Sequence, residues 1–328
     1  MKKFGAILLA AALALGLLAG CSAGSQETVT VKVSEVAHSV FYAPQYVAMS
    51  QGFFAEEGLD IELLNGGGAD KVMTSVLTGE VDVGLAGPEA CIYVLLEGRE
   101  DSPRIFAQLT NCDGAFLVGR TDEDFSWENL RGKTIIGGRK GGVPEMTLEY
   151  VMKQNGVVPH EDAVVDTSVQ FNMMAGAFTG GNGDYVALFE PTATEVELAG
   201  QGYVLCSIGE AGGEIPYTAY FAAQSVLDTQ PDMIQRFTNA IAKGQKWVQE
   251  HSDREVAEAI ADQFPDTDVA VLEQVAARYR SIGAWKTVPT MEEEDFLRLM
   301  DVMEEAGELT KRVPFADFTT NEFALMAQ

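Results

Sequence analysis

The 328-residue sequence predicts an α/β protein of two like lobes, each a mainly parallel sheet flanked by helices, joined by a two-stranded hinge. Three observations carry this. Strand-like and helix-like patterns alternate from Val29 onward. One phrase, ending at Ala90, returns in other words ending at Ala193. Two extended segments, near 115 and near 219, separate the two stretches.

The first elements follow in order. VTVKVSEV alternates and is β-branched, so it reads as a strand. A loop, AHSVFYAP, leads to a helix over QYVAMSQGFFAEEG that stops at glycine. DIELLN is a second strand, GGGAD opens the helix KVMTSVLTGE, and VDVGLAG is a third strand. Strand, helix, strand, helix, strand implies parallel pairing with crossover helices.

The repeat pairs MTSVLTGEVDVGLAGPEA with MMAGAFTGGNGDYVALFEPTA. In each, a helix ends at Thr-Gly, an Asp follows the turn, an apolar strand comes next, and Pro with a Glu neighbour starts another element. Pro88 and Pro191 suit a first helical position, where a missing N–H costs nothing. WENLRGKTIIGG, GGVPEMTLEYVMKQNG, VVDTSV, YVALF and GYVLCSI supply the remaining turns, strands and helix of the second lobe. IPYTAYFAAQ reads as the return crossing, and the rest of the chain is mostly helical. The expected boundaries are 29–115 plus 220–328 for lobe 1 and 116–219 for lobe 2. Two strands between two lobes make a hinge, and hinged lobes close on ligands.

The N-terminus reads as an address. Lys2 and Lys3 precede the uncharged run FGAILLAAALALGLLA, which is short for a membrane span and suits a secretory signal over 1–20. It ends in Leu18-Ala19-Gly20-Cys21, which resembles a bacterial lipobox, so the mature chain would start at a diacylated Cys21, tethered by residues 21–28. The expected location is the outer face of the cytoplasmic membrane or the periplasmic side of an outer membrane.

Composition excludes several functions. There are 49 acidic and 22 basic residues, a net charge of -27, and no basic block, so nucleic acid is a poor partner. Removing Lys2 and Lys3 makes the exported chain more acidic still, at about -29. Four cysteines without a CxxC pair and three isolated histidines offer no zinc spacing, so neither a structural metal nor a cofactor is expected. GGRKGG invites a nucleotide reading, but Trp127 stands where a P-loop preceding Gly132-Lys133-Thr134 needs glycine. No GxSxG elbow occurs either, so catalysis is not expected.

Four runs carry a family resemblance: YAPQYVAMSQGFFAEEGLDIEL, LTGEVDVGLAGPE, LRGKTIIGGRKGGVPEMTLEYV and DYVALFEPTATEVE. Over Val29 to Glu250 the chain resembles solute-binding proteins of ABC importers, in the thiamine-pyrimidine-synthase-like and sulfonate-binding superfamily. That resemblance implies the two-lobed periplasmic-binding-protein type II fold, a small-molecule solute, an ABC permease as partner and, as we read it, a monomer. The superfamily includes binders of sulfonates, nitrate, bicarbonate and aminopyrimidines. It also includes a pyrimidine-forming enzyme with a cysteine-rich iron motif, which this sequence lacks, although His38 falls where that branch uses a histidine.

In open α/β sheets ligands bind beyond the carboxyl ends of strands. That rule selects His38, Ser39 and Tyr42; Gly67; Gly87 and Glu89; Asn111 and Asp113; Gly138, Arg139, Gly141 and Glu145; Phe189 and Glu190; and Tyr217. Glu89, Asp113, Glu145 and Glu190 accept hydrogen bonds without donating, which suits amino groups, ring N–H or a cation. Tyr42, Phe189, Tyr217 and Phe41 would stack on a planar ring. These features favour an aminopyrimidine-like heterocycle. Other readings stay open: acids at 89 and 145 suit a helix start by the macrodipole alone, Phe41 and Phe189 suit a core, and His38 suits a local bond. Arg139 would fork onto an anion, which favours a sulfonate or nitrate.

Overall fold

The computed structural model describes residues 28–327. The signal, the lipobox cysteine Cys21 and most of the tether lie outside the described residues.

Among the described residues, ten strands form two five-stranded sheets. They are β1 (Val29–Glu35), β2 (Leu59–Asn65), β3 (Val83–Ala86), β4 (Pro103–Thr110), β5 (Ala115–Gly119), β6 (Thr134–Ile136), β7 (Val164–Asp166), β8 (Tyr185–Phe189), β9 (Tyr203–Ser207) and β10 (Thr218–Ala223). Sheet one runs β2-β1-β3-β10-β4 and sheet two runs β7-β6-β8-β5-β9. β1 pairs parallel with β2 and β3, and β6 pairs parallel with β7 and β8. Both sheets are nevertheless mixed, because β10 is antiparallel to its neighbours β3 and β4, and β5 to β8 and β9.

The antiparallel strands are the ones delivered by the two crossings. The chain leaves β4 at its carboxyl end and enters β5 with Ala115 opposite Phe189, the last residue of β8. It returns to β10 with Thr218 opposite Thr110, the last residue of β4. Each crossing strand therefore starts where the parallel strands end and must run the other way. By pairing, Ala115 already belongs to sheet two, and Thr218 and Ala219 to sheet one.

Local sequence explains the departures from the expected elements. The helix expected over 45–58 is two, Ala43–Ser50 and Phe53–Glu56, parted by Gly52 at φ 76°. A left-handed residue cannot continue a right-handed helix. Within the expected loop, Ser39 caps a short 3₁₀ turn over Val40–Tyr42, its side chain accepting from Phe41 N–H. Pro88 and Pro191 stand one position before the first helical residue, as caps of Glu89–Leu96 and Thr192–Leu198.

The repeated Asp has one job in both halves. Asp82 Oδ2 accepts from Lys32 N–H at 2.9 Å, and Asp82 N–H donates to Lys32 O at 3.0 Å. Asp184 does the same to Thr134, at 2.9 and 2.8 Å. Each carboxylate thus supports the strand beside its own, β1 in one sheet and β6 in the other.

The C-terminal helices touch both halves. Pro231–Glu250 packs on Ala43–Ser50 closely enough that a Cβ on Gly244 would meet Pro44 O at 2.3 Å. Val269–Ser281 sends Tyr279 between the halves, where its hydroxyl donates to Gly114 O and accepts from Glu190 N–H, both at 3.0 Å. Glu293–Glu305 lies against Val143–Gln154 of the sheet-two half, and Lys153 Nζ donates to Glu305 O at 2.7 Å. No helix among the described residues is long and apolar enough to cross a membrane.

Candidate functional site: a cleft between the strand ends

The carboxyl ends of the parallel strands in the two sheets face one cleft. It holds about 650 Å³ of empty space, partly open to solvent. Sheet one contributes Val36, Tyr42, Gly67, Gly68, Asp70, Gly87 and Glu89, with Tyr217 and Thr218 at the return crossing. Sheet two contributes Gly138, Arg139, Gly142, Val143, Gln170, Phe171 and Phe189. A second compartment shares the Val36, Gly67, Phe171 and Phe189 walls and continues past His38, Ser39, Asn65, Asn172 and Glu190.

An aromatic cluster closes the floor. Phe41 lies 5.5 Å from Phe189 in a stacked pair, 5.7 Å from Tyr217 edge-on and 5.2 Å from Tyr279. Phe41 is fully buried and does not line the cleft, so it is core, and Phe189 presents the aromatic wall instead. A Cβ on Gly114 would meet the Phe41 ring at 2.7 Å, so the first crossing needs glycine there.

The four strand-end acids have separate fates. Glu89 lines the cleft, 1% exposed, its Oε1 accepting from Val143 N–H across the cleft at 3.4 Å and its Oε2 without a partner. Burial pushes its carboxyl up to about 7, against the pull of Arg139. Gly87 makes room for it, since a Cβ there would meet Glu89 Oε2 at 2.1 Å. Glu190 is already neutralised: Arg278 Nη1 donates to its Oε1 at 2.8 Å, and Thr194 donates from Oγ1 and N–H, both at 2.9 Å. Glu145 does not line the cleft and accepts from Gly141 N–H at 3.0 Å; burial, then repulsion from Glu149, raises its carboxyl to about 7. Asp113 is fully buried behind Tyr217, its Oδ1 accepting from Ala115 N–H at 2.6 Å.

The other expected residues divide likewise. Tyr42 and Tyr217 line the cleft with buried hydroxyls that lack partners, and burial drives both well above the usual phenol range. Gly67 and Gly138 line it at φ 69° and 97°, where a side chain would be strained. Arg139 lines it 3.8 Å from Asp70 of the other half. Gly141 sits just outside, its carbonyl accepting from Tyr93 hydroxyl at 2.8 Å. Ser39 Oγ donates to Glu190 O. His38 borders the second compartment with both ring nitrogens engaged, Nδ1 with Glu35 Oε1 and Nε2 with Gln263 O, each at 2.8 Å. The Glu35 bond holds His38 toward its protonated form. Asn111 is not brought to the cleft; it follows β4, bonded through its backbone to Ala284 and Ile215, and borders a separate surface hollow with Glu214 and Trp285.

Asp70, Gln170, Phe171 and Val36 are cleft residues that the sequence reading omitted. Gln170 and Phe171 follow β7, so the strand-end rule applied to VVDTSV would have found them.

Facing sheets of this topology, with a cleft at the strand ends, define the type II periplasmic-binding-protein fold. The chain belongs to the NMT1/THI5-like family, which it matches over residues 40–255. It is 45% identical over 309 residues to the Bacillus subtilis (strain 168) protein named "Putative binding protein YtlA", covering 94% of this chain and 92% of the relative. Among solved structures it is similar to the alkanesulfonate-binding protein SsuA from Xanthomonas axonopodis pv. citri bound to MOPS, with a TM-score of 0.72, 16% identity and coverage of 90% and 99%. It is also similar to the desulfurization enzyme DSZB, with a TM-score of 0.61, 15% identity and coverage of 91% and 98%. At those identities the likeness is one of fold, and the fold serves binding and catalysis alike.

Proposed function

We propose that this protein is the extracytoplasmic solute-binding component of an ABC importer, anchored through a lipid on Cys21. It captures a flat, N–H-bearing heterocycle of the aminopyrimidine type between two closing lobes. The observation that carries the solute class is Glu89: a buried carboxylate with one oxygen unpartnered, set among Tyr42, Phe189 and Tyr217. An unpartnered buried carboxylate oxygen is costly, and a ligand amino or ring N–H removes that cost. The one cationic side chain lining the main cleft among the described residues, Arg139, already faces Asp70. The name of the Bacillus relative supports a binding role.

A second reading, an alkylsulfonate, nitrate or related anion, draws on Arg139 at the cleft wall and on the likeness to the alkanesulfonate-binding fold. A pyrimidine-forming enzyme is the alternative of another class, and His38, with both ring nitrogens bonded, offers it no free base.

A thermal-shift screen of the mature chain against aminopyrimidines, thiamine, taurine, alkylsulfonates and nitrate tests the proposal. A ligand at a hundredfold over its Kd stabilises by about 2.7 kcal/mol. Aminopyrimidines are expected to shift the melt, with Glu89→Gln abolishing the shift. A shift by the anions alone would reverse the assignment.

A further inference from the structure

Among the described residues, ten buried side-chain polar atoms lack a hydrogen-bond partner, and four belong to one group at the cleft floor: Tyr42 Oη, Glu89 Oε2, Asp113 Oδ2 and Tyr217 Oη. Three of these residues line the cleft. Asp113 does not; it sits at the first crossing, fully buried, and reaches the cleft only through Tyr217. The Asp113 and Tyr217 side chains lie within reach of each other, and neither Asp113 Oδ2 nor Tyr217 Oη has a hydrogen-bond partner elsewhere.

We infer that Asp113 is a positioning residue that sets the hydrogen-bond polarity Tyr217 shows to the solute. A phenol has one proton to give and lone pairs to accept with. When Asp113 is a neutral acid, its O–H points at Tyr217 Oη, and the Tyr217 proton turns to the cleft as a donor. When Asp113 is ionised, it accepts a hydrogen bond from the Tyr217 O–H, and Tyr217 shows the cleft only lone pairs. The first state suits a ring nitrogen, the second an N–H.

The surroundings favour the neutral acid. No Lys or Arg among the described residues pairs with Asp113. The groups around it are Tyr217 from the return crossing and Cys112 beside it, with Glu214 beyond Cys112 and Tyr42 and Glu89 beyond Tyr217. The backbone of Gly209 closes the remaining side, where a Cβ would meet Asp113 O at 2.1 Å. Burial pushes the carboxyl up to about 8, so the relay switches on the alkaline side of neutrality. Glu89, raised to about 7, supplies a separate acid limb.

This inference rests on the heterocycle reading for its consequence but not for its existence, so the experiment has two arms. Carbon-13 carboxyl NMR of aspartate-labelled, ligand-free protein should show one aspartate titrating near pH 8, absent in Asp113→Asn and displaced in Tyr217→Phe. Calorimetric titration with 4-aminopyrimidine should lose affinity about tenfold above that pH, as the ring nitrogen loses its donor. Asp113→Asn keeps the bond to Ala115 N–H and places an amide donor against Tyr217, so it should hold the high affinity without an alkaline limb. Tyr217→Phe should lose the limb and the affinity together, while Glu89→Gln, which removes the acceptor itself, should lose binding at every pH and leave the aspartate titration of the first arm in place. An aspartate titration unmoved by Tyr217→Phe, or an alkaline limb that survives Asp113→Asn, overturns the relay. If 4-aminopyrimidine binds at no pH, the solute reading falls and the NMR arm alone decides the relay.

Discussion

Ser39 Oγ donates to the carbonyl oxygen of Glu190 at 2.6 Å, a buried hydrogen bond that joins the loop after β1 to the loop after β8. It is a direct tie between the two halves at the end of the cleft, and it depends on one hydroxyl that also caps the 3₁₀ turn. Ser39→Ala leaves both partners unanswered. A loss of about 1–3 kcal/mol in urea unfolding is expected, together with weaker solute affinity. Unchanged affinity would mean that this tie is not part of the closed form.

The Glu190–Arg278 pair is buried on the acid side and a quarter exposed on the basic side. Removing Arg278 leaves Glu190 with only Thr194 as a side-chain partner, so Arg278→Met should cost about 2–4 kcal/mol. Adding Glu190→Gln to that variant should recover part of the loss. A double variant worse than the sum of the singles would refute charge stranding as the cause.

Glu89 in the folded, ligand-free protein sits at about 7, above its unfolded value. Such a group contributes stability that is fully present below the unfolded carboxylate range and is lost as pH rises through 7. The difference in melting temperature between the native chain and Glu89→Gln should therefore shift against the native chain between about pH 5 and 8. A flat difference would show that the carboxylate is better solvated than its burial implies. Bound heterocycle should reverse the trend, because an N–H donor favours the ionised form.

Asp82→Ala and Asp184→Ala should each cost about 1 kcal/mol, since each frees one strand N–H that is only partly shielded. Comparable losses at both positions, read by chemical denaturation, would establish that the two halves share a construction as well as a phrase. A large loss at one and none at the other would confine the role to one sheet.

That phrase explains why so much of the fold was legible. Thr-Gly, a turn, Asp and an apolar strand recur because each half needs the same carboxylate beneath the neighbouring strand, and the need leaves a spacing visible without coordinates. The antiparallel strands were not visible, because strand direction depends on where a crossing lands. Gly52 falls inside a pattern that reads as one helix, and the φ of 76° that breaks it leaves no mark in the residue order. At the site, the strand-end rule located Tyr42, Gly67, Gly87, Glu89, Gly138, Arg139, Phe189 and Tyr217 on the cleft. It did not separate Glu89 from Glu190, because the partner that neutralises Glu190 is Arg278, 88 residues further along the chain. Nor did it foresee that His38 would be engaged by Gln263, 225 residues away.

The two crossings also have an architectural consequence. Thr110 and Thr218 stand side by side, their hydroxyls 2.5 Å apart, so everything from 111 to 217 leaves and re-enters through a doorway one residue pair wide. Sheet two is in this sense an insert in the connection between β4 and β10. A turn of two or three residues joining Thr110 to Thr218 would excise it and keep every strand pairing of sheet one. What such a chain would lose is half of a cleft and the surface on which Tyr279 and the Glu293–Glu305 helix rest.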